Sequence, residues 1–118
     1  MSDIKHTSVV KPTQILPFLF LGSKSEAKSL AALQKANIKY ILNCTPARTN
    51  DKEAGCPNFF EKDRSFKYLR IAVFDNKGED ILMHLNSSFR FIEEGKYYGN
   101  VLVHCVKGIV CDCIFNEV

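Results

Sequence analysis

In the segment Val101-Leu102-Val103-His104-Cys105-Val106-Lys107-Gly108, a short apolar run ends at a His-Cys pair and a glycine, and this pattern is the best guide to the fold. The run follows the turn residues Gly99-Asn100. A continuous Val/Leu segment of this length is typical of a strand that is buried on both faces, as in a parallel sheet. We therefore predict that Cys105 stands at the carboxyl end of such a strand, at the edge where open α/β sheets bind ligands.

The loop after Cys105 is predicted to bind an anion. Successive N–H groups of a tight loop form an anion-binding nest, and Gly108 permits the backbone angles that the nest needs. A thiol among those donors loses its proton readily, because the positive field favours the thiolate. These residues indicate a cysteine nucleophile that acts on an anionic, phosphorylated substrate, with Val106, Lys107 and Gly108 in the phosphate-binding loop. The simpler alternative is a small buried side chain, which is the commoner fate of a lone cysteine.

Length, charge and cysteine count restrict the class of protein. A chain of 118 residues with 46% hydrophobic residues is expected to form one domain with its own core. Its net charge of +3 comes from 16 basic and 13 acidic residues without a basic block, so we expect neither a nucleic-acid nor a membrane partner. The N-terminus lacks the apolar core of a signal peptide, and an odd count of cysteines suits a reducing compartment. We therefore expect a cytoplasmic or nuclear protein.

Strands and helices alternate along the rest of the chain. Residues 1–13 are predicted to form a flexible arm, and 14–22, which Pro17 interrupts, an edge strand or hairpin. The other predicted elements are strands over 38–44 and 68–73, a surface loop over 47–58, and helices over 24–36 and 81–94. This order predicts an α/β fold with a largely parallel sheet and flanking helices.

Apolar spacing and capping residues define the two predicted helices. The first follows the capping-box pair Ser23 and Glu26, and Asn37 is expected to end it in a left-handed conformation. The second has apolar residues at intervals of three and four and is expected to end at Gly95. The predicted buried face of the first helix consists of four small or apolar residues, Ala27, Leu30, Ala31 and Leu33.

The His104-Cys105 pair with Gly108 resembles the signature of the cysteine-based protein phosphatases, which is His-Cys, five residues, Arg, and Ser or Thr. The resemblance runs from about Ile15 to Gly108 and points to the dual-specificity protein phosphatases. It rests on four further pieces in the family's order, namely Ile15 to Ser23, Ile41 to Pro46, Asp75 to Ile81, and Phe91-Ile92.

The resemblance implies a dual-specificity-phosphatase-like fold and dephosphorylation of tyrosine, serine or threonine in a phosphoprotein, without a cofactor or a metal. Cys105 takes the place of the nucleophile that forms a phosphocysteine. His104 takes the place of the histidine that orients the loop and supports the thiolate. Asp75 takes the place of the general acid that protonates the leaving oxygen. From the residues alone, Asp75 serves equally well in a turn, and His104 as a hydrogen-bonded core histidine.

The chain departs from that signature after Gly108. Cys111 stands where the family has arginine, and Asp112 stands where it has a hydroxyl. A guanidinium donates hydrogen bonds to two phosphoryl oxygens at once, whereas a thiol carries no positive charge and cannot form this bidentate contact. Residues 109–118 are rich in β-branched side chains and lack a helical stripe, so we expect a partial phosphatase domain over 14–108. The divergent tail 109–118 would then replace the C-terminal helices of the family, and activity would be impaired or lost.

Two other classes of function stay open from the sequence. One is a non-catalytic module that still binds phosphorylated or native partners. The other is a metal or redox site of His104, Cys105, Cys111 and Cys113, although their spacing matches no common zinc pattern.

Two further expectations concern Cys44 and solubility. Cys44 and Cys105 are both predicted to end parallel strands, so a disulfide between them is one alternative and a buried free thiol at Cys44 is the other. The two predicted helices are too few to cover both faces of a central strand, so we expect self-association through an exposed core.

Overall fold

The computed structural model describes residues 11–45, 55–71 and 81–104. These ranges contain five strands and three helices. In chain order they are β1 (Thr13–Leu16), β2 (Leu19–Gly22), α1 (Lys24–Ala27), α2 (Leu30–Lys35), β3 (Ile38–Asn43), β4 (Lys67–Arg70), α3 (Ile81–Tyr98) and β5 (Asn100–His104).

The strands form one sheet in the order β1-β2-β5-β3-β4. β1 and β2 make the predicted hairpin at the border of the sheet, and they are the antiparallel pair. β5 lies in the middle and runs parallel to β2 and to β3, which in turn runs parallel to β4. The predicted α/β fold with a mostly parallel sheet is therefore confirmed. Thr13 already pairs with Leu21, so the sheet begins within the stretch that was predicted as an arm.

A hydrophobic cluster covers each face of this sheet. β3 and β5 supply both clusters, because successive side chains of a strand point to opposite faces. α3 covers one face through Phe91 and Ile92, and α1 and α2 cover the other through Ala27 and Leu33. Val101, Leu102 and Val103 are completely buried, as the prediction of a central strand requires.

The exposed core that was expected is not found on the described sheet, because helices lie on both of its faces. Among the described residues, the exposed large hydrophobic side chains are Ile15 and Leu16 on the edge strand β1, Leu30 on α2, and Tyr97 and Tyr98 at the end of α3. Self-association stays a prediction. Within the described helices, no segment has the length and apolarity that a membrane span needs.

The helix predicted over 24–36 is two short helices. Ser29 caps the second of them, since its Oγ accepts the Ala32 N–H at 3.2 Å. This cap begins a new helix at Leu30 instead of continuing the first one. Different side chains therefore face the core, so Ala32 is buried while Leu30 and Ala31 are exposed. The predicted left-handed residue is confirmed, because Asn37 has φ 57°.

The long helix α3 does not end at Gly95, as was predicted, but continues to Tyr98. A Cβ at position 95 would lie 2.6 Å from Val101 Cγ2 and 2.9 Å from Tyr40 Cγ. Glycine is needed here because the helix backbone approaches the sheet closely, and its helix-ending tendency is overridden by that packing.

Candidate functional site

His104 ends β5 at the carboxyl edge of the sheet, where β2, β3 and β4 also end. Its backbone lies beside Gly22 on one side and Asn43 on the other. The His104 carbonyl accepts the Cys44 N–H at 2.9 Å, and the residue is completely buried. The histidine is thus held in the centre of the edge that was predicted to carry the site.

Of the predicted site residues, the structure describes His104. The nucleophile Cys105, the acid Asp75 and the three loop residues Val106, Lys107 and Gly108 lie outside the described residues. Cys111 and Asp112 lie outside them as well. Their roles stay predictions.

Two neighbouring polar side chains, Asn43 and Thr45, are buried at this edge with exposures of 0% and 1%. The Asn43 amide nitrogen donates to the Cys56 carbonyl and to Asn58 Oδ1, each at 2.9 Å. Its Oδ1 accepts the Thr45 N–H at 3.0 Å and the Thr45 hydroxyl at 2.7 Å. Asn43 therefore uses both ends of its amide to join the chain after β3 to the segment around residue 56.

Arg70 completes this polar network from the end of β4. It pairs with Asn43 in the sheet, and its Nη1 donates to the Thr45 carbonyl at 3.0 Å and to the Cys56 carbonyl at 2.9 Å. Thr45 and Cys56 flank the segment 46–55, so the guanidinium links the residues on either side of that segment. The strand was predicted over 68–73, with Arg70 in its middle, whereas β4 ends at Arg70, so no signal in the sequence indicated this role.

On the other side of His104, Gly22 leads directly into α1. The predicted capping box is confirmed there, because the Ser23 N–H donates to Glu26 Oε1 at 2.6 Å and the Ser23 Oγ accepts from the first turn. A Cβ at Gly22 would lie 3.0 Å from Glu26 Cβ and 3.1 Å from Leu102 Cδ1. The missing side chain lets the first turn of the helix sit against the central strand.

Cys44 follows β3 at the same edge and is completely buried. Its strand is the immediate neighbour of β5, which meets the condition of adjacent strands for a disulfide with Cys105. Cys105 lies outside the described residues, so the disulfide stays a prediction. Mild peroxide treatment followed by mass spectrometry is expected to yield a Cys44–Cys105 peptide, and a peroxide-treated chain without that peptide would show that Cys44 is a structural thiol.

Of the alternative metal site, Cys105, Cys111 and Cys113 lie outside the described residues. Within the ranges that are described, no three His, Cys, Asp or Glu side chains come together in a metal-binding group.

The chain is similar to known proteins of one family. A family model for the dual specificity phosphatase catalytic domain matches residues 19–110. Human dual specificity protein phosphatase 6 is 40% identical over 110 residues, which cover 92% of this chain and 26% of that protein. Mpk3 of Drosophila melanogaster is 38% identical over 100 residues, which cover 83% of this chain and 22% of that protein. The chain thus spans about a quarter of the length of these relatives.

Solved structures show the same fold. The human tyrosine phosphatase-like serine/threonine/tyrosine-interacting protein superposes with a TM-score of 0.68 at 30% identity, over 93% of this chain and 75% of that one. Human DUSP28 superposes with a TM-score of 0.59 at 25% identity, over 89% of this chain and 72% of that one. The predicted dual-specificity-phosphatase-like fold is confirmed by both.

Proposed function

This chain belongs to the dual specificity phosphatase family, and we propose that it is a phosphoprotein-directed member in which Cys105 is the nucleophile and turnover is strongly impaired. In the reaction, the Cys105 thiolate attacks phosphorus and forms a phosphocysteine while the bond to the leaving oxygen breaks. Asp75 gives its proton to that oxygen, and water then hydrolyses the phosphocysteine to inorganic phosphate.

The observation that supports this proposal is the position of His104. A completely buried histidine ends the central parallel strand, between Gly22 and Asn43, and the next residue in the chain is the cysteine of the His-Cys signature. A rigid strand end is where a nucleophile can be held while the following loop faces a substrate.

The impairment follows from the residues at 111 and 112. Without arginine, the equatorial phosphoryl oxygens lack a bidentate cation in the transition state, and Asp112 adds a charge that repels phosphate. Losing one preorganised donor of this kind costs on the order of 10²–10³ in rate. The combined change is expected to reduce turnover by more than that.

The test is hydrolysis of p-nitrophenyl phosphate and of a phosphotyrosine peptide by the 118-residue chain. We expect very slow turnover or none, and no rescue by Cys111→Arg with Asp112→Ser, because the segment after Gly108 still lacks a helix-forming sequence. Replacing 109–118 with a family-type continuation is expected to restore turnover that depends on Cys105 and Asp75.

A matched pair of variants in the restored chain separates the roles. Cys105→Ser removes the nucleophile and should abolish turnover, whereas Asp75→Asn should mainly slow substrates with poor leaving groups. Robust activity of the unmodified chain that Cys105→Ser abolishes would contradict the proposed impairment, because another group would then meet the role of the arginine.

A second candidate function is non-catalytic binding of phosphoproteins. It is favoured by the similarity to a solved protein that is described as tyrosine phosphatase-like and serine/threonine/tyrosine-interacting, together with Cys111 in the arginine position. This function predicts that the chain binds a phosphotyrosine peptide more tightly than the unphosphorylated peptide and releases no phosphate. Equal affinity for both peptides would argue against it.

We also propose a cytoplasmic or nuclear location, on the basis of five cysteines that the sequence does not arrange in a paired framework. Imaging of the tagged chain in cells tests this location, and a secreted product would contradict it.

A further inference from the structure

A groove of about 420 Å³ lies at the end of the sheet where β3 and β4 begin, away from His104. Tyr40 pairs with Lys67 at this end, whereas Asn43 pairs with Arg70 at the other. We call it the basic groove. Its lining consists of Lys39, Tyr40, Arg64, Ser65, Phe66, Lys67 and Tyr98.

Positive charge dominates the basic groove. Lys39, Arg64 and Lys67 are cationic, and none of the lining residues is acidic. Glu94 pairs with one of the three cations, since its Oε2 lies 2.8 Å from Lys67 Nζ. The nearby Asp63 carboxylate accepts the Ser65 N–H at 2.8 Å and is engaged in the turn before β4. An excess of positive charge therefore remains, which suits an anionic occupant.

Lys39 is positioned by a strand irregularity and by packing against Gly99. Lys39 is the extra residue of a bulge, because Ile38 pairs with Asn100 while Tyr40 already pairs with Val101. Its stem lies against Gly99, where a Cβ would come within 2.4 Å of Lys39 Cγ. A bulge of this type redirects a side chain, and the close glycine backbone limits the lysine stem. The charge at Lys39 is therefore partly preorganised.

Aromatic packing shapes the wall of the basic groove. The Tyr98 ring stacks on the Tyr40 ring with centroids 5.9 Å apart and planes 8° apart, and Lys67 Nζ lies 5.5 Å from the centroid of Tyr40. Tyr98 is 67% exposed and lines the groove together with the three cations. An exposed aromatic surface next to positive charge is typical of a binding surface.

We infer that the basic groove is a docking site for an acidic segment of a protein partner, with two or three carboxylates paired to Lys39, Arg64 and Lys67. A short peptide segment fits the small volume, and its carboxylates complement the excess positive charge of the lining. The three residue steps from Tyr40 to Asn43 span roughly 10 Å, so one partner can occupy the groove and the carboxyl edge together. In that form the inference rests on the proposed function, because the partner is then the phosphoprotein.

The test is a binding titration with fluorescein-labelled hexaglutamate and the full 118-residue chain. Lys39→Gln with Arg64→Gln removes two charges of the groove and is expected to weaken binding about tenfold. The matched control is Lys28→Gln with Arg90→Gln, which removes two exposed charges outside the groove and is expected to leave binding unchanged. Binding is also expected to weaken as salt is added.

Several outcomes would overturn the inference. The first is that hexaglutamate does not bind, and the second is that the control pair weakens binding as much as the groove pair. Tighter binding of a thymidine hexanucleotide would make nucleic acid the partner. Because the titration does not depend on turnover, a chain without phosphatase activity leaves its result intact. Unchanged binding in the groove pair, together with displacement of hexaglutamate by inorganic phosphate, would place the anion at the carboxyl edge instead.

Discussion

Polar groups are buried at one end of strands β3 and β4 and exposed at the other. At the carboxyl end, Asn43 and Thr45 are buried and hydrogen-bonded, and Arg70 donates to two backbone carbonyls. At the other end, the Lys67–Glu94 pair is open to solvent, with side-chain exposures of 58% and 47%.

The polar groups at the carboxyl end stabilise the fold, whereas the charged groups at the other end are exposed to solvent and accessible to a partner. A buried hydrogen-bonding atom that loses its partner incurs the full desolvation penalty, so the carboxyl end is expected to be rigid and sensitive. Exposed ion pairs contribute little to stability, so a partner can replace the ion pair of the basic groove with a small loss of folding free energy. Substitutions at the two ends should therefore differ most in how strongly they affect unfolding.

The largest effect is expected for Asn43→Ala. The change removes the acceptor of the Thr45 N–H and hydroxyl and the donor to the buried Cys56 carbonyl. The free energy of unfolding, measured by urea denaturation, should fall by roughly 2–4 kcal/mol. Asn58→Ala is the matched control, because it removes a single part-buried bond and should cost about 1 kcal/mol. Equal effects of the two variants would contradict the idea of a sensitive carboxyl end.

The next effect is expected for Gly95→Ala on α3. Alanine favours helices over glycine by about 1 kcal/mol, but its Cβ would lie 2.6 Å from Val101 Cγ2. Overpacking is expected to prevail and to lower the free energy of unfolding by about 1–3 kcal/mol. Ser87→Ala on the exposed face of the same helix is the control and should be neutral or slightly stabilising. A stabilised Gly95→Ala would show that the helix shifts away from the sheet at no cost.

A pH-dependent effect is expected at Tyr40, which lies between the core and the basic groove. Burial, reinforced by the hydrogen bond to Glu94, raises the pKa of Tyr40 from 10.0 to about 12. A raised pKa in the folded state means that the neutral phenol is favoured by folding. The stabilisation is therefore complete below pH 10 and is lost as the pH rises toward 12.

Tyr40→Phe is expected to reduce this alkaline loss of stability, as measured by urea denaturation across that pH range. Tyr68, whose pKa burial also raises to about 12, remains in the variant, so part of the loss should persist. An unchanged pH dependence would mean that Tyr40 ionises in the folded protein as it does in the unfolded chain.

The smallest effect is expected for Glu93→Gln, beside the groove end of α3. Lys96 Nζ lies 2.9 Å from Glu93 Oε1, and this exposed pair raises the pKa of Lys96. The urea midpoint should stay within error of that of the parent chain, because Lys96 keeps its position over the Phe18 ring, 5.3 Å from the centroid. A clear loss of stability that high salt suppresses would show that exposed pairs at this end matter more than the comparison implies.

Several elements could be predicted from the sequence because they depend on neighbouring residues. The hairpin broken by Pro17, the capping box at Ser23 and the left-handed Asn37 are confirmed, and each follows from contacts within a few positions along the chain. Two local predictions were wrong. Ser29 offered a competing cap inside the first helix, and Gly95 serves the packing of helix against sheet.

The buried strand from Val101 to Val103, with His104 at its end, could be predicted from local sequence, because a short, largely β-branched apolar run after turn residues is typical of such a strand. Three features emerged from the folded chain instead: β5 lies between β2 and β3, Asn43 and Arg70 join residues 45 and 56, and three cations line the groove beside Tyr98. These features depend on strand order and register. Both are set by pairing between segments far apart in the chain, which local propensity does not encode.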